Sequence, residues 1–201
     1  MKKNRWNILW WSCCLCFASV LPEQSDAAVK LGQSCALTGP TAFLGQQMHK
    51  GAMAYLKTHA EDDIEVLVRD DGYEPERCLE NTEFFVQEGV DTLFGYVGTP
   101  TSKVAVPLSN ENKVVFFGPL TGAGFLNDVE KNPYSFAVRA SYDAEIENMM
   151  RQLKEDLDIS RIGLFVQRDA FGMAGVQAVV KAQEQVKGIK VFPPIPPNTP
   201  T

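Results

Sequence analysis

The chain has 201 residues, of which 45% are hydrophobic and 22% are charged, and its formal net charge is −6. This composition is typical of a globular protein, and the length allows one large domain or two small ones. The acidic balance argues against nucleic acid as a partner, because binding phosphates requires a basic face.

The first 27 residues differ in kind from the rest. Lys2, Lys3 and Arg5 precede an uncharged apolar stretch over residues 8–21. A basic segment, a short apolar core and small residues at a cleavage site predict a secretory signal peptide over residues 1–27. Ser25 and Ala27 satisfy the rule for small residues at that site, so we expect the mature protein to begin at Ala28.

Two alternatives concern the same segment. An uncleaved membrane anchor is disfavoured because the apolar stretch falls short of the ~20 residues that span a bilayer. Lipid attachment at Cys13, Cys14 or Cys16 is disfavoured because Trp11 and Leu15 stand where small residues are expected. Cleavage leaves two cysteines, Cys35 and Cys78. The compartment permits a disulfide, but the predicted elements do not bring these residues within about 7 Å, so free thiols are expected.

The mature chain alternates between predicted strands and helices. The expected strands and extended segments cover residues 29–36, 64–70, 91–96, 113–118, 134–139 and 161–167. The expected helices cover residues 46–59, 75–88, 102–110, 142–157 and 169–185. The run at 113–118 is unbroken in its apolar character, which predicts burial on both faces, as in a parallel sheet.

This alternation predicts an α/β fold with doubly wound parallel sheets. The alternation of strands and helices is interrupted after Gly118 and resumes after residue 139, which predicts two lobes. We assign residues 28–138 to lobe one and residues 139–201 to the start of lobe two. The tail, residues 191–201, holds five prolines and has no partner in the pattern.

Three loops rich in glycine and hydroxyl groups follow predicted strands, at residues 34–45, 95–102 and 118–124. In an open parallel sheet, ligands bind at the carboxyl ends of the strands. Glycine lets a ligand approach the backbone, while hydroxyls and helix N-terminal amides accept an anionic group. The alternative is that Thr99, Pro100 and Ser102 serve only as helix-entry residues.

The order and spacing of five segments resemble those of the type I periplasmic binding proteins, and more narrowly their leucine/isoleucine/valine-binding branch. The resemblance covers residues 29–192. The segments are QSCALTGPTAFLGQQMHKGAMAY, VRDDGYEP, LFGYVGTPTS, FFGPLTGAG and VQRDAFGMAG.

The resemblance implies a set of ligand-binding residues. Thr99 would receive the carboxylate of the ligand, and Phe171 would close over it from lobe two. The remaining positions are Leu120, Thr121 and Gly122 in the loop after strand four, and Leu44, which stands where the family has an aromatic residue. The acidic residue that receives the ligand ammonium would lie beyond residue 201. Tyr73 and Gly98 occupy positions that often form a disulfide in the family, so that bridge is absent here.

The family function implied is that of an extracytoplasmic solute-binding protein of an ABC importer. It would be a periplasmic monomer without a cofactor or a metal, binding a branched-chain amino acid or related small carboxylate and partnering an ABC permease. In the family fold the chain crosses between lobes three times. This sequence ends earlier, so it looks truncated, and we expect weak ligand binding and marginal stability.

Two other functions are alternatives to this one. A sensor or regulator could use the same fold as its ligand-binding domain, and neighbouring genes would distinguish the two roles. A secreted α/β enzyme is disfavoured because no nucleophile elbow, P-loop or dinucleotide fingerprint is present. His49 and His59 are expected to face solvent. Asp70 and Asp71 resemble a metal-binding acidic pair, but a partly solvated turn is the favoured interpretation.

Overall fold

The computed structural model describes residues 28–59 and 63–192, so the predicted signal peptide and the end of the proline-rich tail lie outside the described residues. The strands are β1 (Val29–Cys35), β2 (Ile64–Asp70), β3 (Thr92–Phe94), β4 (Val115–Phe117), β5 (Ser135–Phe136), β6 (Arg161–Gly163) and β7 (Lys190–Phe192). The helices are α1 (Ala42–His59), α2 (Pro75–Gln87), α3 (Thr99–Asn112), α4 (Tyr142–Glu155) and α5 (Ala170–Gln185), with a 3-10 turn at Gly124–Asn127.

Each predicted strand and helix is present, although the boundaries differ. Helix α3 begins at Thr99 rather than at residue 102, because Pro100 in the first turn needs no amide hydrogen and already has a helical φ. Helix α1 begins at Ala42, where the Ala42 amide donates to the Gly39 carbonyl. The prediction that the tail has no partner is wrong for Val191 and Phe192, which lie in β7 and pair with Ile162 and Gly163 of β6.

The strands form two parallel sheets. The larger has the order β2-β1-β3-β4-β5, and the smaller pairs β6 with β7. Strand β1 pairs with β2 on one side and with β3 on the other, and every described pair is parallel. This order confirms the predicted α/β fold with a doubly wound parallel sheet, because the chain winds outward in both directions from β1.

Helices α2 and α3 cover one face of the larger sheet. Phe85 from α2 and Val106 from α3 pack with Leu93, Tyr96 and Phe116 in one buried cluster. The prediction that 113–118 is buried on both faces is wrong at Phe117, which is 44% exposed. Adjacent strand residues point to opposite faces, and α2 and α3 cover only the face that holds Phe116.

A second, smaller core lies between α4, α5 and the two-stranded sheet. Met150, Val179, Ala182, Val186 and Ile189 form it. Ile162 and Leu164 pack against it while remaining half-buried. Among the residues that the structure describes, no helix has the length and apolar character needed to cross a bilayer.

Candidate functional site

The loops after β3 and β4 lie side by side at the carboxyl edge of the larger sheet. Val97 and Leu120 form a parallel bridge beyond the ends of the strands. The Leu120 amide donates to the Tyr96 carbonyl at 2.7 Å, and the Gly98 amide donates to the Leu120 carbonyl at 3.4 Å. These bonds fix the two loops against each other, as predicted for residues that share one sheet edge.

Thr99 is the first residue of α3 and is 3% exposed. Its Oγ1 lies 2.7 Å from Thr121 Oγ1, so the structure brings two of the predicted ligand-binding residues into direct contact. Ser102 does not cap the helix, because its hydroxyl donates to the Gly98 carbonyl one turn back. The N-cap residue, Gly98, offers no side chain to this terminus, and such a helix end favours an anionic group.

Tyr142 is part of this site, although it is not among the ligand-binding residues predicted from the sequence. Its hydroxyl lies 3.3 Å from Thr121 Oγ1, which also accepts a hydrogen bond from the Ala123 amide at 3.2 Å. The only sequence signal was an aromatic residue at a helix start, directly after the predicted crossing between lobes. That signal is weak, because many helices begin with a residue of this kind.

Gly122 is required at its position by Tyr142. A Cβ on Gly122 would lie 2.7 Å from the Ala140 carbonyl oxygen and 2.9 Å from Cδ1 of the Tyr142 ring. The Gly122 carbonyl accepts a hydrogen bond from the Tyr142 amide at 2.7 Å. Leu120 is 37% exposed beside it. The loop after β4 therefore contacts the start of α4 through backbone as well as side chains.

Phe171 contacts the site through the ring of Tyr142, whereas Leu44 makes no such contact. The Phe171 and Tyr142 rings meet edge to face with centroids 5.7 Å apart. Asp169 caps α5 by accepting from the Gly172 amide at 3.0 Å, which places Phe171 in the first turn. Leu44 is 45% exposed in the first turn of α1 and lines neither of the two cavities that adjoin Tyr142.

Two cavities adjoin Tyr142. The first, of about 480 Å³, lies between α3 and α5 and is lined by Thr99, Lys103, Tyr142 and Met173, among others. The second, of about 350 Å³, is lined by Tyr142, Phe171 and the exposed ring of Phe165. Tyr142 therefore lines both a partly polar space beside Thr99 and an aromatic space beside Phe171.

Tyr73 and Gly98, the positions of the family disulfide, lie against each other. Tyr73 has a φ of 70°, and a Cβ on Gly98 would lie 2.4 Å from Cε2 of the Tyr73 ring. Burial, reinforced by the charge of Asp169, raises the pKa of Tyr73 to about 12. An aromatic ring packed on a glycine thus takes the place of a covalent bond between these loops.

The two neighbouring carboxylates at the end of β2 have different environments. The prediction of a partly solvated pair holds for Asp70, whose side chain is 22% exposed, and is wrong for Asp71, which is fully buried. Burial raises the pKa of Asp71. Burial also opposes ionisation of Asp70, but hydrogen bonds from Thr38, Leu37 and Gly72 outweigh it and hold the pKa of Asp70 well below its usual range.

In the described part of the chain, no group of three His, Cys, Asp or Glu side chains could hold a metal ion. The prediction that His49 faces solvent is wrong, because His49 is half-buried and its Nδ1 lies 2.7 Å from Oε1 of the buried Gln33. His59 is exposed, as predicted. Cys35 and Cys78 are free thiols, which confirms the prediction for both.

Comparison with known proteins places this architecture in a family. Residues 28–200 match a family model described as periplasmic binding protein. A solved structure of a possible leucine/isoleucine/valine-binding protein from Rhodopirellula baltica SH 1 is 31% identical, with a TM-score of 0.69. That match covers 84% of this chain and 48% of the other. No curated protein sequence matches the chain.

Two further structures have the same fold. A substrate-binding periplasmic protein from Ralstonia solanacearum is 26% identical with a TM-score of 0.73, and the match covers 85% of this chain and 50% of that one. An ABC transporter solute-binding protein from R. palustris, in complex with 4-hydroxybenzoate, is 21% identical with a TM-score of 0.70. That match covers 84% of this chain and 46% of that one.

The chain therefore spans about half the length of the solved structures it matches. The family match extends over nearly all of the chain after the predicted signal peptide. The strand order of the larger sheet agrees with it. The chain belongs to the type I periplasmic binding proteins.

Proposed function

We propose that this chain is part of an extracytoplasmic solute-binding protein that binds a small carboxylate, such as a branched-chain amino acid, for an ABC importer. The observation that carries this proposal is the contact between Thr99 and Thr121 at the N-terminus of α3. The R. baltica structure is described as a possible leucine/isoleucine/valine-binding protein, and the R. palustris structure holds 4-hydroxybenzoate. Each of these ligands carries a carboxylate.

A carboxylate can be held here without a cationic side chain. The N-terminus of α3 presents amide hydrogens and a partial positive charge to an anionic group. A hydroxyl that donates to a charged acceptor forms a stronger bond than one that donates to a neutral acceptor. Thr99 stands at that N-terminus, so its hydroxyl and the helix can act on one ligand group.

The apolar part of the ligand would lie toward Tyr142 and Phe171. Their rings present apolar surface beside the hydroxyl of Tyr142. Closure of two lobes around a ligand excludes water and satisfies polar groups from both sides. Such a protein would be a periplasmic monomer after removal of residues 1–27, and it would deliver its ligand to a permease in the inner membrane.

The test of this proposal is the loss of the Thr99 hydroxyl. Thr99→Ala is expected to weaken carboxylate binding by about 1.5–3 kcal/mol, the usual contribution of a hydrogen bond to a charged group. Ligand-observed NMR titration with leucine and benzoate measures this even when binding is weak. Thr58→Ala, on the exposed end of α1, serves as the control and should leave affinity unchanged. Equal affinity in the Thr99 variant and the parent would contradict the proposal.

A further inference from the structure

The hydroxyls of Tyr142, Thr121 and Thr99 form a continuous series, here called the hydroxyl chain. Thr121 Oγ1 lies 3.3 Å from the Tyr142 hydroxyl and 2.7 Å from Thr99 Oγ1. Tyr142 and Thr99 are separated by more than forty positions in the sequence and belong to different helices. Thr121 is fully buried and Thr99 nearly so, so bulk water does not compete for the Thr99–Thr121 bond.

Counting donors and acceptors at Thr121 links the directions of its two hydroxyl–hydroxyl hydrogen bonds. A threonine hydroxyl has one hydrogen to donate and two lone pairs to accept with. The Ala123 amide donates to Thr121 Oγ1 and so uses one lone pair. If Tyr142 donates to the second lone pair, Thr121 must donate its own hydrogen to Thr99. Thr99 then has its hydrogen free for a group outside the chain.

The position of Tyr142 is held from several sides. Its amide donates to the Gly122 carbonyl at 2.7 Å, and its ring lies against the Cα of Gly122. Ser141 caps α4 by accepting from the Ala144 amide at 3.2 Å. The Arg139 guanidinium lies 5.2 Å from the centroid of the Tyr142 ring. The hydroxyl is therefore presented to Thr121 by a fixed ring and backbone.

We infer that Tyr142 is a positioning residue for the ligand site, which sets the direction of the hydroxyl chain so that Thr99 presents a hydrogen to the ligand. This inference rests on the proposed function for the identity of the ligand group. A group that only accepts hydrogen bonds, such as a carboxylate, is then preferred at Thr99 over a group that donates, such as an amide nitrogen. Tyr142 acts through Thr121 and need not touch the ligand.

Removal of the Tyr142 hydroxyl frees the second lone pair of Thr121. Thr99 can then donate to Thr121 and present lone pairs outward, so the site loses its preference for an acceptor. Tyr142→Phe keeps the ring against Gly122 and Phe171, which separates the hydroxyl from the packing. The matched control is Tyr134→Phe, which removes the hydroxyl of a half-buried tyrosine outside the hydroxyl chain.

The experiment compares leucine with leucinamide, and benzoate with benzamide, by NMR titration of the purified chain. The parent and the Tyr134→Phe variant are expected to prefer each acid over its amide. Tyr142→Phe should reduce that preference by roughly tenfold, as expected for a lost hydrogen bond to a charged group. An unchanged preference in Tyr142→Phe, with Thr99→Ala still weakening acid binding, would overturn the inference and leave the proposed function intact.

A second measurement needs no ligand. The unfolding equilibrium is measured for Tyr142→Phe, Thr99→Val and the double variant. Distant residues change stability additively, to within about a twofold factor in the equilibrium constant, unless a shared partner couples them. Coupling beyond that factor is expected here, because Thr121 bonds to both. Additive effects of the two substitutions would contradict the inference that Thr121 links Tyr142 to Thr99. Coupling between them, together with no binding of any of the four probes, would support that link and count against the proposed function.

Discussion

The five-stranded region, from Val29 to Phe136, and the two-stranded region, from Tyr142 to Phe192, repeat the same strand–helix unit but bury it to different depths. The twelve largest fully buried side chains among the described residues all lie between residues 33 and 126. The core of the two-stranded region holds five smaller or flexible residues, exposed by 2–8%. The repeat is thus not sufficient for a deep core.

Two phenylalanines illustrate the difference. Phe116 of the larger sheet lies beneath α2 and α3 and is 1% exposed. Phe165, just after β6, has an exposure of 104%. Apolar burial contributes about 25 cal/mol per Å², so a region that leaves an aromatic ring in solvent gains less from folding. We expect the two-stranded region to unfold first.

The largest expected effect comes from exchanging the two phenylalanines for alanine. Phe116→Ala should lower the free energy of unfolding of the five-stranded region by about 3–5 kcal/mol, because it empties a packed core position. Phe165→Ala is the matched control and should change stability by no more than about 0.5 kcal/mol. Urea unfolding followed by circular dichroism measures both. Similar losses from the two variants would refute the contrast between the regions.

The second effect tests a feature that the two regions share. Gly45 and Gly172 each lie near the start of a helix that follows a strand. A Cβ on Gly45 would lie 2.0 Å from the Ala36 carbonyl oxygen, and a Cβ on Gly172 would lie 1.8 Å from the Gln167 carbonyl oxygen. Gly45→Ala and Gly172→Ala are each expected to cost about 1–3 kcal/mol through overpacking.

The controls are two helical glycines with open space around the missing Cβ. At Gly51 of α1 and Gly175 of α5, no described heavy atom outside the neighbouring residues and the local helix backbone lies within 4 Å of that position. Gly51→Ala and Gly175→Ala should therefore stabilise their helices by about 0.5–1 kcal/mol. Thermal unfolding of the four variants checks the sign in each region. If Gly45→Ala or Gly172→Ala stabilised the protein, the contact of that glycine with the neighbouring carbonyl oxygen would not exclude a larger side chain.

The third effect concerns acid and belongs to the five-stranded region. The pKa of Asp70 is lowered in the folded state, so Asp70 stabilises the protein above its unfolded pKa of about 3.9 and this contribution is lost as the pH falls further. Asp70→Asn should be destabilising at pH 7, and its deficit should shrink below about pH 4. Urea unfolding at several pH values measures the deficit.

Asp71 provides a control of opposite sign. Burial raises its pKa, so its ionisation opposes folding, and stability is lost as the pH rises from the unfolded pKa of about 3.9 through the folded value. The stability of the parent relative to Asp71→Asn should therefore fall with rising pH. Parallel pH profiles for the two variants would contradict the assignment of the two carboxylates.

The smallest expected effect is chemical rather than energetic. Burial, reinforced by the charge of Asp71, raises the pKa of both Cys35 and Cys78 to about 12. Neither thiol should react with iodoacetamide in the folded protein at pH 8, because the thiolate is the reactive form. Mass spectrometry after brief labelling should show modification only in urea that unfolds the five-stranded region. Labelling at the lower concentration that unfolds the two-stranded region would refute independent unfolding.

Local pattern was sufficient for much of the fold. The apolar runs at residues 64–70 and 161–167 and the helix signals at Pro75 and Gly89 depend on neighbours within one or two turns. Strand and helix periods are properties of such short segments, so element type could be predicted from sequence. Parallel pairing could be predicted from the alternation of strands and helices, because a helix between two strands of one sheet forms a right-handed crossover that leaves the strands parallel.

The order of elements also placed Thr99 and Thr121 at one sheet edge, because the carboxyl ends of neighbouring parallel strands share that edge. Sequence by itself therefore determined the fold class, the family resemblance and two residues of the candidate site that the structure brings into contact. Only the tertiary structure decided that Tyr142 reaches Thr121, that Gly122 accommodates its ring, that Asp71 is buried and that Lys190–Phe192 pairs with β6. These contacts join residues from separate elements, and a periodic pattern contains no information on which side chains meet once those elements pack.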